Sequence, residues 1–131
     1  MLLGSPLRFK RTWFVLGCLW VLLLVFMSLT DLRSIGVALP SDKLMHMLGY
    51  GFLMGWFVQI FHHPITRLLI AVVLAMMGVG VEYLQSMVPS RQFELADMLA
   101  NTAGVLLAWA LSYTFLGQLF IRFEKLISSK R

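Results

Sequence analysis

Apolar residues fill this chain in four long blocks, at residues 13–29, 42–61, 65–87 and 97–115, and most polar residues within them gather toward one end. The blocks are continuously apolar, without the alternation that marks a membrane strand. Unbroken runs of about eighteen residues are what an α-helix needs to cross a hydrocarbon core roughly 30 Å thick. The pattern predicts an all-α membrane protein, a bundle of four transmembrane helices forming one domain. Residues 1–12 read as a basic leading segment and 116–131 as an amphipathic basic tail. Asp31, Arg33, Gly36 and Pro40 suit a loop after the first block, while His62-His63-Pro64 and Val88-Pro89-Ser90 close the second and third.

Composition supports this class. The chain has 131 residues, 60% of them hydrophobic and only 13% charged. A soluble domain of that size has too little interior to hide so much apolar surface. The net charge of +5 comes largely from the two ends (Arg8, Lys10, Arg11; Arg122, Lys125, Lys130, Arg131). Such placement reports topology and contact with anionic headgroups, and argues against nucleic acid as a partner. The single cysteine, Cys18, excludes an intrachain disulfide and a cysteine-based metal site. The first block ends Val25-Phe26-Met27-Ser28-Leu29, a poor cleavage context, and reads as a retained helix rather than a signal peptide. With Arg67 in the second connection, the basic residues favour cytoplasmic termini and place the polar ends of the blocks outside. The expected location is the bacterial cytoplasmic membrane.

The second block opens with Asp42, Lys43, His46 and Tyr50, of which Asp42, His46 and Tyr50 follow i, i+4, i+8 spacing down one helix face. Ser41 and Asp42 also suit an ordinary helix start. Glu82 lies seven positions before Pro89, about 10 Å below the helix end. A carboxylate there must be paired, hydrated or protonated. Gln85 shares its face and is placed to orient it. Asp97, Asn101 and Gly104 line one face of the fourth block, Asp97 also reading as an N-cap. Arg91, on the intervening connection, suits a phosphate or the Glu82 carboxylate. His46, Glu82 and Asp97 are therefore candidate catalytic residues. Asp42, Lys43, Tyr50, Gln85, Arg91 and Asn101 are candidate binding residues. A divalent metal is conceivable at His46, Glu82 and Asp97, but no HExxH-type spacing supports one, and the cofactor is left unknown. No ionisable residue is expected to line the opposite half.

Other features are structural. Gly51 and Gly55, Ala100 and Gly104, and Gly78 with Gly80 have the small-residue spacing that lets membrane helices approach closely, within the bundle or in an oligomer. Trp13 reads as an interfacial anchor, Trp20, Trp56 and Trp109 as packing groups, and His62-His63 as an interfacial turn. The nine methionines are scattered and read as packing or lipid-facing residues.

The stretches Asp42-Lys43-Leu44-Met45-His46 with Tyr50, Glu82-Tyr83-Leu84-Gln85, and Arg91-Gln92-Phe93-Glu94 leading to Asp97 and Ala100-Asn101-Thr102-Ala103-Gly104 resemble the VanZ-like family of small bacterial membrane proteins. The resemblance covers about half the chain. It implies a bacterial cell-envelope protein, in a family named for a glycopeptide (teicoplanin) resistance protein, and implies no settled reaction. Two readings follow. One is a site that binds or processes a lipid-linked, phosphate-bearing envelope substrate such as a cell-wall precursor, with Lys43 and Arg91 on the phosphate. The other is a non-catalytic binding or partner protein linked to glycopeptide tolerance, its polar residues forming an interhelical network. Transport would need more than four helices, hence an oligomer.

Overall fold

The computed structural model describes residues 7–32, 34–36, 38 and 41–130. Arg33, Pro40 and Arg131, used in the sequence reading of the first connection and tail, lie outside the described residues. Within these limits every regular element is helical: α1 (Lys10–Leu29), α2 (Asp42–Ile60), α3 (Pro64–Gln85), α4 (Leu95–Leu111), a 3-10 turn (Phe115–Gln118) and α5 (Leu119–Ser128).

The helix ends have local causes. Ser41 caps α2, its hydroxyl accepting from the Leu44 N–H at 3.3 Å. Pro64 begins α3, where its missing N–H costs nothing. The fourth apolar block runs on to residue 115, yet α4 stops at Leu111. There Ser112 and Thr114 turn their hydroxyls back onto the carbonyls of Trp109 and Leu111, both at 2.6 Å. Thr114 then accepts from Leu116 N–H and starts the 3-10 turn.

Of the four crossings expected from the blocks, two or three helical units are long and apolar enough to span a membrane. α1 and α3 are long and apolar enough to cross a membrane, and α4 joined to the following segment makes a third such unit only with a 79° bend. α4 alone has 17 residues, about 26 Å at 1.5 Å per residue, short of a ~30 Å core. α2 opens with Asp42, Lys43 and His46 and buries its lower half among its neighbours. Tyr50, Leu53, Met54, Val58 and Ile60 are all essentially inaccessible.

α2 is the central helix and packs most extensively on α4, with α1 and α3 flanking it. Gly51 and Gly104 make this approach close. A β-carbon on Gly51 would meet the Gly104 carbonyl oxygen at 3.3 Å, and one on Gly104 would collide with the Met47 carbonyl. Gly55 and Gly80, singled out by the same spacing, have nothing within 4 Å and make no such contact.

The end of the bundle opposite His46 is not free of ionisable groups. Arg67 lies in the first turn of α3, buried rather than in a connection. It donates to the carbonyls of Val58 (3.1 Å), Phe61 (2.9 Å) and Ser112 (3.2 Å), and to the Ser112 hydroxyl. Gln59 accepts from Leu119 N–H and donates to Leu116 O, fixing the turn into α5. Glu124 accepts from the N–H groups of Arg8 (2.6 Å) and Phe9 (3.1 Å) and from the Trp13 indole (2.7 Å). Trp13, read as an anchor, stacks on Phe120 with centroids 4.2 Å apart.

α5, at 10 residues, is too short to span. Burial pushes the Glu124 carboxyl up, but the Trp13 indole and the two backbone N–H groups outweigh it and hold the group below its ordinary range. Its stabilising share is therefore complete above the ordinary carboxylate pKa of about 4.3 and is lost as pH falls through the depressed folded value. Glu124→Gln is expected to cost about 1–3 kcal/mol and to loosen α5. Faster trypsin cleavage at Arg122 and Lys125 at neutral pH is the expected result. Unchanged cleavage at neutral pH would show that the carboxylate does not hold the tail.

Candidate functional site

The first two turns of α2, the last two of α3 and the first two of α4 meet at the other end, and the candidate residues converge there. His46 sits one turn into α2, with Asn101 and Asp97 facing it from α4. His46 Nδ1 meets Asn101 Oδ1 at 2.8 Å, and Nε2 lies 3.4 Å from Asp97 Oδ2. A carbonyl oxygen only accepts, so Asn101 in this orientation holds the ring proton on Nδ1 and leaves Nε2 toward the carboxylate. Asn101 fits because α3 presents Gly78 to it. A β-carbon at Gly78 would lie 3.1 Å from Asn101 Nδ2.

Asp97 is not the cap of α4. Glu94 holds that position, and Asp97 stands within the first turn, its carboxylate directed at α2. Lys43 Nζ is 2.8 Å from Glu94 Oε2 and 3.5 Å from Asp97 Oδ1, closing the rim of the site. The Lys43 ammonium holds the exposed Glu94 carboxyl below its ordinary range.

Glu82 is 1% exposed. Its Oε1 accepts the Glu94 backbone N–H at 2.9 Å, tying the end of α3 to the start of α4. Its Oε2 has no partner among the described residues, and neither do Tyr50 Oη, Asn101 Nδ2 or, by hydrogen bond, Asp97 Oδ1. Buried polar atoms are nearly always satisfied. Among the described residues, Glu82 Oε2, Tyr50 Oη and Asn101 Nδ2 are unsatisfied on residues that share one end of the bundle, Asp97 Oδ1 has only the Lys43 ammonium at 3.5 Å, and His62 and Trp109 carry the other such atoms.

Gln85 does not orient Glu82. It donates instead to the Ser28 carbonyl at 2.7 Å, fastening the end of α1 to α3. Arg91 does not pair with Glu82 either, and its guanidinium makes no hydrogen bond or ion pair with the described residues. It lines a half-open groove of about 500 Å³ between α1 and α2. The groove walls are largely apolar, from residues such as Trp20, Leu23, Leu24, Met27, Phe52 and Leu53, and Ser28, Asp42, His46, Tyr50, Gln85 and Arg91 are its polar lining residues. His46 is therefore a shared wall, facing the groove and also the Asp97–Asn101 pair.

A family model described as VanZ/LLP1 matches residues 6–116. The chain belongs to the VanZ/LLP1 family. No curated protein and no solved structure matches it. VanZ/LLP1 membership and the apolar helices make this a membrane protein, and membership fits a cell-envelope role linked to antibiotic resistance. Within this VanZ/LLP1 chain, the stretches that carried the resemblance lie on three helices and the connection between α3 and α4, and they bring His46, Glu82, Asp97 and Asn101 together at one end of the bundle.

Sequence reasoning did not reach two contributors to this end. The Glu94 main chain is held by Glu82, and Ser28 is the anchor for Gln85. Both are backbone partners, which no side-chain pattern marks.

Proposed function

We propose that this protein crosses the bacterial cytoplasmic membrane four times with both termini cytoplasmic, and uses its outward-facing end to bind and process a lipid-linked, phosphate-bearing envelope substrate. The observation that carries this reading is the groove between α1 and α2. Its apolar walls suit a hydrocarbon chain, and Arg91 and His46 among its lining residues suit the phosphate, with Asp42 beside them to accept from headgroup hydroxyls. Arg91 offers phosphate a guanidinium unpaired among the described residues, and Lys43 stands at the rim. His46, Glu82 and Asp97 are then the reacting cluster. The short α4 is accommodated as a span by local thinning of the bilayer, and α2 by its polar end reaching the interface.

A non-catalytic reading has its own support, since Glu82 holds the Glu94 N–H and Asn101 holds His46. A purely structural network would satisfy its members, and this one leaves Glu82 Oε2 and Tyr50 Oη unsatisfied.

The decisive experiment compares lipid extracts of a deletion strain complemented with wild type, Glu82→Gln, His46→Gln or Asp97→Asn, with membrane levels of each protein measured. Deletion is expected to change the pool of one phosphate-bearing lipid. Wild type restores it, and the variants accumulate normally but are slowed about a hundredfold or more. Full restoration by all three variants would sink the reaction. Reporter fusions after Ser34 and Ser90 are both expected to read as exterior, and a cytoplasmic signal from either would reverse the topology.

A further inference from the structure

The three residues at the centre of the site also form a donor set that helix spacing alone does not reveal. One donor atom each from His46, Glu82 and Asp97 lies within 4.8 Å of the other two. Glu82 and Asp97 are buried and His46 is nearly so. We propose that these residues bind one divalent cation of the Mn²⁺ or Zn²⁺ class.

Three observations support this beyond proximity. Glu82 Oε2 is fully buried and unpartnered in the same cluster. A desolvated carboxylate oxygen facing no donor is costly, and a cation removes that cost. Second, with Nδ1 facing the Asn101 carbonyl oxygen, His46 turns its other ring nitrogen, Nε2, toward the Asp97 carboxylate 3.4 Å away, so both donors face one point. Third, Asn101 orients the ring as an outer-shell carbonyl orients a metal-binding imidazole.

The class of ion follows from the donors and their spread. Two carboxylates with one imidazole favour a borderline ion over Mg²⁺, which prefers oxygen ligands and keeps its water. Around a tetrahedral ion with bonds of about 2.0–2.2 Å, donors stand roughly 3.3–3.6 Å apart, so donors spread over as much as 4.8 Å draw together on binding. Lys43, 3.5 Å from Asp97, limits excess negative charge at the rim.

The cation's role rests on the lipid reading: it supplies an electrophile for a phosphate oxygen, with Glu82 and Asp97 as its ligands. Binding itself does not rest on that reading.

The test uses the full chain purified in detergent, stripped with EDTA, and titrated with Mn²⁺ while the free-ion electron paramagnetic resonance signal is followed. Competition by Zn²⁺ is measured in the same samples. Wild type is expected to take up about one equivalent, displaced by Zn²⁺. Glu82→Gln, Asp97→Asn and His46→Gln are expected to weaken binding more than tenfold, and Asn101→Ala about tenfold. Asp31→Asn, in the first connection, leaves it unchanged. Because a variant could lose binding by unfolding, wild type alone supplies the second measurement. Added Mn²⁺ or Zn²⁺ raises its melting temperature, and Co²⁺ gives visible d–d absorption. No uptake by wild type, or equal uptake by the three ligand variants, overturns the proposal. Metal binding without any change in the deletion strain's lipids would overturn the lipid reading and leave the site standing. A lipid phenotype without metal binding would do the reverse.

Discussion

Arg67→Ala is expected to destabilise the protein by about 3–5 kcal/mol, the scale for breaking a buried charged contact. The guanidinium closes three backbone carbonyls at once, those of Val58, Phe61 and Ser112. These are last-turn or flanking carbonyls of α2 and α4, where unpaired acceptors and the negative ends of two helix dipoles coincide. Removing the side chain leaves them buried away from water, at a cost of about 1–3 kcal/mol each when unsatisfied. Arg67→Lys keeps the charge, but an ammonium lacks the planar fork that spans carbonyls from two helices. It is expected to recover less than half of the loss. Denaturant unfolding in mild detergent, followed by circular dichroism, measures both. A change under 1 kcal/mol for Arg67→Ala would mean that the carbonyls find other donors.

Gly104→Leu is the second large effect. Even a β-carbon at this position would collide with the Met47 carbonyl oxygen, which belongs to backbone and cannot rotate away. α2 and α4 must separate along the pair that forms the centre of the bundle. The expected cost is about 3 kcal/mol, the upper end of ordinary overpacking, and Mn²⁺ uptake falls with it because His46 and Asn101 stand on those two helices. Gly55→Ala and Gly80→Ala, with open space at their β-positions, are the controls. They are expected to be neutral or to gain about 0.5–1 kcal/mol from the better helix former. Equal tolerance of Gly104→Leu and Gly55→Ala would contradict the close approach.

How far the residues announced this arrangement depended on the kind of contact. His46, Asp97, Asn101, Glu82 and Lys43 were legible as a group because helical spacing puts each on a face and the blocks put their polar ends at one level. All five meet in space. Their partners were less legible. Gln85 shares Glu82's helix but reaches Ser28 on α1, and Glu82 takes a backbone N–H rather than a side chain. Arg67 read as a topology marker because its charge is visible in sequence and the carbonyls that claim it are not. Side-chain to backbone bonds between helices depend on which turn faces which, and periodicity carries no such information. The end of α4 was missed for a related reason: the run stays apolar through Leu116 while Ser112 and Thr114 turn the chain by local bonding. The donors proposed for the metal were individually visible, but their convergence required the helix packing.

α1 is the least buried of the long helices, with Gly17 its only fully buried residue, yet it supplies much of one groove wall. It is held chiefly near its two ends, by Glu124 and by the Gln85–Ser28 bond. For a membrane-resident molecule this sets the direction of approach. Lifting a hydrocarbon chain into water costs about 0.8 kcal/mol per methylene, so a dozen would cost roughly 10 kcal/mol before any headgroup contact was made. A chain sliding sideways past α1 exchanges one oily neighbour for another and avoids nearly all of that. On the lipid-binding reading proposed above, the groove is therefore entered through the flank of the bundle, past α1 and within the plane of the bilayer.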